Sequence, residues 1–298
     1  MTDLAARHDE LRPLMFSIAY RMLGQVSEAE DVVQNAWLRM QTDETVVRSP
    51  EAYATTVTTR LAIDQLRSAR ARREAYVGAW LPEPLLTTPA DADPAARTET
   101  ADSVSMAFLV LLESLSPVER AVFLLREVFG YSYDQIAVVV EKSEPNCRQI
   151  FTRARARVDE RRPRFEVSRA QRDELARRFF AACEQGDLAG LEQLLAADVV
   201  FYGDGGGKAP AVRRPVEGRV QVTRLLGALL RQGAAQGARI EPVEVNGQPG
   251  ARLVGGDGRL VSVLALYIVD GHVQAMHNVL NPDKLRHLAP SVADPPSR

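Results

Sequence analysis

The sequence predicts a multidomain protein: two all-α domains, then an α+β domain in which helices cap a curved sheet. Three observations predict it. Apolar residues recur at helical spacing through residues 7–74 and again through 101–160. A stretch rich in Pro, Ala, Thr and Asp over 75–100 separates those blocks. Over 170–285 the helical period gives way to alternation and glycine turns. A length of 298 residues allows two or three domains. Its 46% apolar and 26% charged residues suit soluble domains with real cores.

Charge and cysteine content narrow the classes. The net charge of −2 conceals two basic stretches. Lys142 to Arg164 holds eight basic residues against three acidic, a local +5, and Arg60 to Arg73 holds five against one, +4. A near-neutral chain with two such stretches is expected to touch a polyanion at two places. The two cysteines, Cys147 and Cys183, are too few for a disulfide framework or a zinc centre, and neither metal nor cofactor is expected. "MTDLAARHDE" lacks the apolar core of a signal peptide, and no apolar run reaches membrane-spanning length. A cytoplasmic place without a membrane partner is expected.

The first block, 1–74, contains "SEAEDVVQNAWLRM". Ala29, Val32, Val33, Ala36, Trp37 and Met40 form one apolar stripe. That leaves Glu30, Asp31 and Gln34 outward, as a solvated face or as acceptors for a partner. In "SPEAYATTVTTRLAIDQLRSARARR", Ser49 is a cap and Pro50 sits in the first turn. Tyr53, Val57 and Leu61 line one face, while Arg60, Arg67, Arg70, Arg72 and Arg73 make the helix basic. An aromatic-bearing helix that turns basic suits nucleic acid, through stacking and phosphate contacts.

The block 101–164, after the linker of 75–100, contains "LSPVERAVFLLREVFGYSYDQIAVVVEKSEPNCRQIFTRARARV". Ser116 caps a helix with Pro117 at its first position and Glu119 completing a capping box. Gly130 ends that helix, "YDQIAVVV" forms a short one, "EKS" turns the chain, and a third starts near Glu144. This is a helix-turn-helix layout. In the last helix Cys147, Ile150, Phe151, Ala154 and Val158 face the core, so Cys147 reads as buried rather than reactive. Asn146, Arg148, Gln149, Thr152, Arg153 and Arg155 point outward, and these residue types reach base edges and phosphates in a major groove.

Together the two blocks resemble regions 2 and 4 of the extracytoplasmic-function sigma factors, small promoter-recognition subunits of bacterial RNA polymerase. "EAEDVVQNAW" resembles the region 2 helix that docks on the clamp of the polymerase's largest subunit, which implies polymerase contacts for Glu30, Asp31 and Gln34. "AYATTVTTRLAIDQLRSARARR" resembles the part that reads and melts the −10 element, which implies DNA contacts near Arg60, Asp64 and Arg67. Arg60 stands where many relatives carry asparagine. "LSPVERAVFLLREVFGYSYDQIA" with its following helix resembles region 4, the reader of the −35 element. The implied partners are core RNA polymerase, through its clamp and flap, and promoter DNA.

Over 170–285, "ELARRFFAACEQGDLAGLEQLLAADVVFYGDGGG" reads as two helices leading into a strand. "RLVSVLALYIVDGHVQAMHNVL" reads as two strands joined by Asp270 and Gly271, a two-residue hairpin signal. This segment resembles the SnoaL-like branch of the nuclear transport factor fold, a cone with a central cavity. The fold hosts isomerases, cyclases and non-enzymatic binding domains, so it does not choose a role, and a small ligand in the cavity stays open. Catalysis needs an acid or base inside the cone. The candidates are Asp204, Asp257, His272 and His277. Asp257 and His272 sit beside glycine turns and are expected to be exposed. His277 alternates with Met276 and Asn278, so it faces either the cavity or the packed side. They form no convincing pair, and no catalytic residue is expected.

"FYGDGGGKAP" looks at first like a phosphate loop. Tyr202 four residues before Gly206, and Ala209 after Lys208, break that pattern, and a glycine turn leaving a strand is the plainer reading. The resemblance offers a third. Sigma factors with this extension carry WLPEP in the linker, DGGGK in the extension and NPDKL at its end. Here those are Trp80, Leu81, Pro82, Glu83 and Pro84; Asp204, Gly205, Gly206, Gly207 and Lys208; and Asn281, Pro282, Asp283, Lys284 and Leu285. The resemblance implies control of sigma activity in cis by the extension. The cone is expected to hold the linker at these residues, with Glu83 a partner for Lys208. Residues 286–298 are expected to be a frayed tail. Two other readings remain: a DNA-binding regulator that does not use polymerase, and a DNA-binding module fused to a small-molecule-binding or isomerase-like domain.

Overall fold

The computed structural model describes residues 7–42, 49–87, 103–160 and 168–288, without the side chains of 69–74. The basic run Arg70, Arg72 and Arg73 and the end of the tail therefore lie outside the described residues. The chain divides into two compact units, 1–75 with 108–163 and 76–107 with 164–298.

In the first unit, α1 (His8–Leu23) stops at Gly24, whose φ of 68° lets the chain turn in the left-handed region. It is followed by α2 (Val26–Thr42) and α3 (Pro50–Glu74). Leu11 and Met15 of α1, Val33, Ala36 and Met40 of α2, and Ala54 of α3 form one core. Trp37, Tyr53, Val57 and Leu61 pack around it, so both predicted apolar stripes point inward. Next come α4 (Met106–Leu112), α5 (Pro117–Glu127), α6 (Tyr133–Val140) and α7 (Glu144–Asp159). Arg120 of α5 is buried, yet its guanidinium donates to the Met22 carbonyl at 2.7 Å, the Leu112 carbonyl at 2.6 Å and Glu113 at 2.7 Å. A buried cation is tolerable only with such partners.

The second unit holds α8 (Arg169–Gln185), α9 (Leu188–Leu194) and α10 (Arg219–Ala235) against one seven-stranded sheet. Its strands are β1 (Leu86–Thr87), β2 (Leu195–Asp204), β3 (Val216–Glu217), β4 (Arg239–Val245), β5 (Gln248–Val254), β6 (Leu260–Val269) and β7 (His272–Val279), in the order β1-β4-β5-β6-β7-β2-β3. Among the described strands only the β2–β7 pair is parallel. Asp270 and Gly271, at φ 49° and 70°, form the expected two-residue turn, and Asn246 and Gly247, at 53° and 70°, repeat it between β4 and β5. Phe179 and Phe180 of α8, Leu191 of α9 and Val222 of α10 cover Phe201, Ala251, Leu266 and Met276 of the sheet. The short α11 (Pro282–Leu285) and a 3-10 turn (Arg286–Leu288) follow β7, so the start of the predicted tail is helical. The linker residues Leu86 and Thr87 supply β1, paired with Val245 and Glu244 of β4. Two residues further along β4 stands Pro242, which has no N–H to extend that ladder.

Candidate nucleic-acid interface and linker-docking site

The helix-turn-helix is fixed by caps and by one apolar stripe. Ser116 Oγ accepts from the Glu119 N–H at 3.4 Å, while the Glu119 carboxylate accepts from the Ser116 N–H at 3.0 Å. Cys147, Ile150, Phe151, Ala154 and Val158 of α7 are buried. Arg148, Gln149, Thr152, Arg153 and Arg155 are consequently exposed and Asn146 half-buried. Four of them, Arg148, Gln149, Thr152 and Arg153, line a shallow depression of about 370 Å³. Arg148 is steadied by Glu144 and lies 4.5 Å over the Tyr133 ring. Arg155 sits 3.7 Å from Glu127 and 3.6 Å from Asp159. Arg153 has no acidic partner among the described residues.

On α2, Asp31 and Gln34 are exposed as their phase requires. Glu30 is less free, because both its oxygens accept from Arg12 at 2.7 Å. Leu38, one turn beyond Gln34, is 59% exposed and extends the same edge. Sequence reading passed over it, although it falls off the buried stripe. On α3, Arg67 donates to Asp64 at 3.0 Å and both remain exposed. Arg60 instead reaches the end of α6, donating to the carbonyls of Val139 at 2.9 Å and Val138 at 2.7 Å.

Within the second unit all three motifs meet. Asp204, at the end of β2, is fully buried. Its carboxylate accepts from the Tyr76 hydroxyl at 2.5 Å, the Leu81 N–H at 2.8 Å and the Lys284 ammonium at 2.7 Å. Lys284 also donates to the Leu81 carbonyl, and its ammonium lies 4.3 Å from the Trp80 ring and 4.8 Å from that of Tyr76. Burial and the Asp204 charge raise the Tyr76 phenol well above its ordinary pKa. Leu81, Pro82, Glu83 and Pro84 are buried, and Trp80 partly so. Farther along the linker, Leu85 exchanges bonds with Asn246, at 2.9 Å to the side chain and 2.8 Å to the backbone, and the Pro84 carbonyl lies 2.8 Å from the His287 ring. Tyr76, Asn246 and His287 had escaped the motif reading.

The glycine turn has a steric reason. A Cβ on Gly206 would lie 2.2 Å from Asn281 Nδ2 and 2.8 Å from the Tyr76 oxygen, and its φ is 57°. Asn281 donates to Tyr76 at 2.8 Å and caps α11 by accepting from the Asp283 N–H at 3.1 Å. Pro282 opens that helix and Leu285 is buried. One expectation is corrected: Lys208 pairs with Asp283, not Glu83, because the first turn of α11 abuts the glycine loop. The Lys208 and Ala209 N–H groups bond back to the Gly205 carbonyl at 2.9 and 3.0 Å, so they do not form an anion cradle.

The cone's ionisable candidates are scattered. Asp257 and His272 are exposed. His277 is buried and stacks on Tyr202, ring centroids 5.2 Å apart. Met276 belongs to the helix-covered core, so strand alternation puts His277 on the opposite face of the sheet. Burial pushes its pKa down to about 4. Among the described residues no cluster of His, Cys, Asp or Glu could hold a metal, and no helix is long and apolar enough to cross a membrane.

Comparison with known proteins decides the family. Residues 8–72 match Sigma-70 region 2, 105–158 match Sigma-70 region 4, and 176–280 match the SnoaL-like domain. Over 284 residues the chain is 39% identical to the ECF RNA polymerase sigma factor SigJ of Mycobacterium tuberculosis, covering 93% of this chain and 91% of that protein. The chain belongs to the extracytoplasmic-function RNA polymerase sigma factors. A second relative, the probable ECF sigma factor SigI of the same species, is 33% identical and covers 92% of each chain. The crystal structure of SigJ superposes with a TM-score of 0.78 at 37% identity, over 95% of this chain and 98% of that one. The fold class expected from sequence is therefore the one found: helical sigma regions 2 and 4 followed by a SnoaL-like α+β domain.

Proposed function

We propose that this sigma factor binds core RNA polymerase and promoter DNA in the cytoplasm, and that its cone domain controls that activity in cis through the linker. Asp31 and Gln34, with Glu30 beside them, form the polymerase edge. Arg148, Gln149, Thr152 and Arg153 read the −35 element, with Asn146 and Arg155 flanking them, and α3 faces the −10 strand. The observation that carries the regulatory reading is the buried Asp204 carboxylate, which fixes both the linker backbone at Leu81 and the Lys284 ammonium. Residues 76–107, which include most of the stretch between regions 2 and 4, belong to the cone's unit. Undocked, 32 residues reach up to roughly 110 Å at 3.3–3.6 Å each, and contacts from Tyr76 to Thr87 shorten that free reach. Asp204 is taken up by this dock and His277 lies off the helix-covered face, which favours regulation over catalysis.

Transcription in vitro with core polymerase over a promoter library tests the reading. Trp80→Ala and Lys284→Ala should change output while circular dichroism shows both variants folded. Unchanged output from both removes the control in cis. Asp31→Arg should weaken core binding, and a folded variant with unaltered affinity removes the clamp assignment.

A further inference from the structure

Arg60 makes contacts that neither promoter-reading role explains. Its guanidinium donates to the last carbonyls of α6, Val139 at 2.9 Å and Val138 at 2.7 Å, and lies 3.1 Å from the Glu141 carboxylate just beyond. Carbonyls at a helix C-terminus lack partners within the helix and carry partial negative charge, so a cation is well placed there. More than one turn earlier on α3, Thr55 shares a hydrogen bond of 2.7 Å with the Tyr131 hydroxyl, on the loop that leads into α6. Thr55, Thr58 and Thr59 are fully buried, and among the described residues the Thr58 and Thr59 hydroxyls find no partner. A buried hydroxyl without a partner is costly, so exposing this surface to water would offset part of the loss of the Arg60 contacts. The reading face of α7, by contrast, is open.

We propose that Arg60 closes an internal clasp between regions 2 and 4, and that α3 can take a −10 strand only after Arg60 leaves the end of α6. This rests on the sigma-factor reading of α3. In the clasped form the −35 reader is ready, while on α3 the stretch from Thr55 to Arg60 is engaged and Asp64 and Arg67 stay exposed. Once released, the same guanidinium is free to meet a phosphate, so its two roles follow in sequence.

A thiol probe tests this in the full chain, because the native Cys147 and Cys183 are both buried. Thr55→Cys should react slowly with a maleimide in the free protein. It should react roughly tenfold faster or more once core polymerase and a promoter duplex are added, as the buried state is depopulated. Adding Arg60→Ala should speed labelling of the free protein, again by roughly tenfold, the loss of a charge-assisted contact. Thr59→Cys serves as the probe if Thr55→Cys does not fold. Protection that persists in a complex that initiates transcription overturns the clasp alone, as does slow labelling unchanged by Arg60→Ala. A chain that never binds core polymerase overturns the sigma-factor reading and the clasp with it.

Discussion

Two ion pairs in this chain share one chemistry and differ in surroundings. Asp204 and Lys284 keep 0% and 5% of their side-chain exposure; Glu144 and Arg148 keep 43% and 60%. In the first pair each charged group is held by several fixed neighbours. In the second, solvent screens the contact and Arg148 can exchange Glu144 for another acceptor. The linker dock is therefore a place where charge specifies one arrangement, and the α7 face a place where charge is kept available. A buried pair adds little net stability, but removing one member is costly. An exposed pair contributes about 0–1 kcal/mol.

The largest effect is expected from Asp204→Ala. It leaves the Lys284 ammonium buried without a carboxylate, which costs about 3–5 kcal/mol. Denaturant unfolding of the full chain should show the second unit losing that amount, with earlier proteolytic cutting of the linker. The double change Asp204→Asn with Lys284→Met should lose much less. A loss below ~1 kcal/mol for Asp204→Ala contradicts the assignment of a dry, charge-specified dock.

His277 gives a second buried contrast, without any charge. Its pKa falls from 6.5 to about 4 on folding because burial disfavours the imidazolium. Between those values the unfolded chain binds more protons, so stability rises with pH through that window and falls on acidification. The loss can reach about 3 kcal/mol near pH 4. His277→Leu should flatten the profile of the second unit between about pH 4 and 6.5, measured by urea unfolding. A profile as steep as the parent's places the proton uptake elsewhere.

What the sequence disclosed follows the same division. The capping box at Ser116, the left-handed turn at Asp270 and Gly271, and the buried phase of Cys147 are local, and each was legible from neighbouring residues. The dock was legible only as three matching motifs, because its bonds join Asp204 to residues 123 and 80 positions away. The pairing of Lys208 was misassigned for that reason: its partner lies 75 residues away on a four-residue helix. The two-residue strand β1 has no periodicity to read. Arg60 looked like a nucleic-acid residue by type, and only the fold reveals the helix end 78 residues off that it contacts.

The exposed side of the comparison is sharpened by setting Arg148 against Arg153. Arg148 is oriented by Glu144 and the Tyr133 ring, as a base-reading fork must be, whereas Arg153 has no acidic partner among the described residues. Arg148→Ala should remove about 1–3 kcal/mol of discrimination at one −35 position, while Arg153→Ala should weaken all sequences alike. Competition binding across single-base variants of a −35 duplex separates the two. A uniform loss for Arg148→Ala makes it a backbone contact as well.

The smallest effect is expected where the dock meets solvent. Lys208 and Asp283 pair at the rim, with 56% and 35% of their side chains exposed. The Lys208 ammonium, helped by Arg286, holds the Asp283 carboxyl below its ordinary range. A carboxylate with a depressed pKa stabilises the folded state above its unfolded pKa of about 3.9, and that contribution disappears as pH falls through the lower folded value. Screening limits it to roughly 0.2–1 kcal/mol, a shift of a few degrees at most in the melting of the second unit. Lys208→Ala should therefore change melting slightly at neutral pH and not at all once Asp283 is protonated, and raising the salt concentration should mimic the substitution. Calorimetry with ATP or GTP should give no binding in either protein, since the Lys208 and Ala209 N–H groups are already used. Tight nucleotide binding abolished by Lys208→Ala would restore the phosphate-loop reading of the glycine turn, and a stability loss as large as that from Asp204→Ala would place Lys208 inside the dry dock and erase the contrast between rim and core.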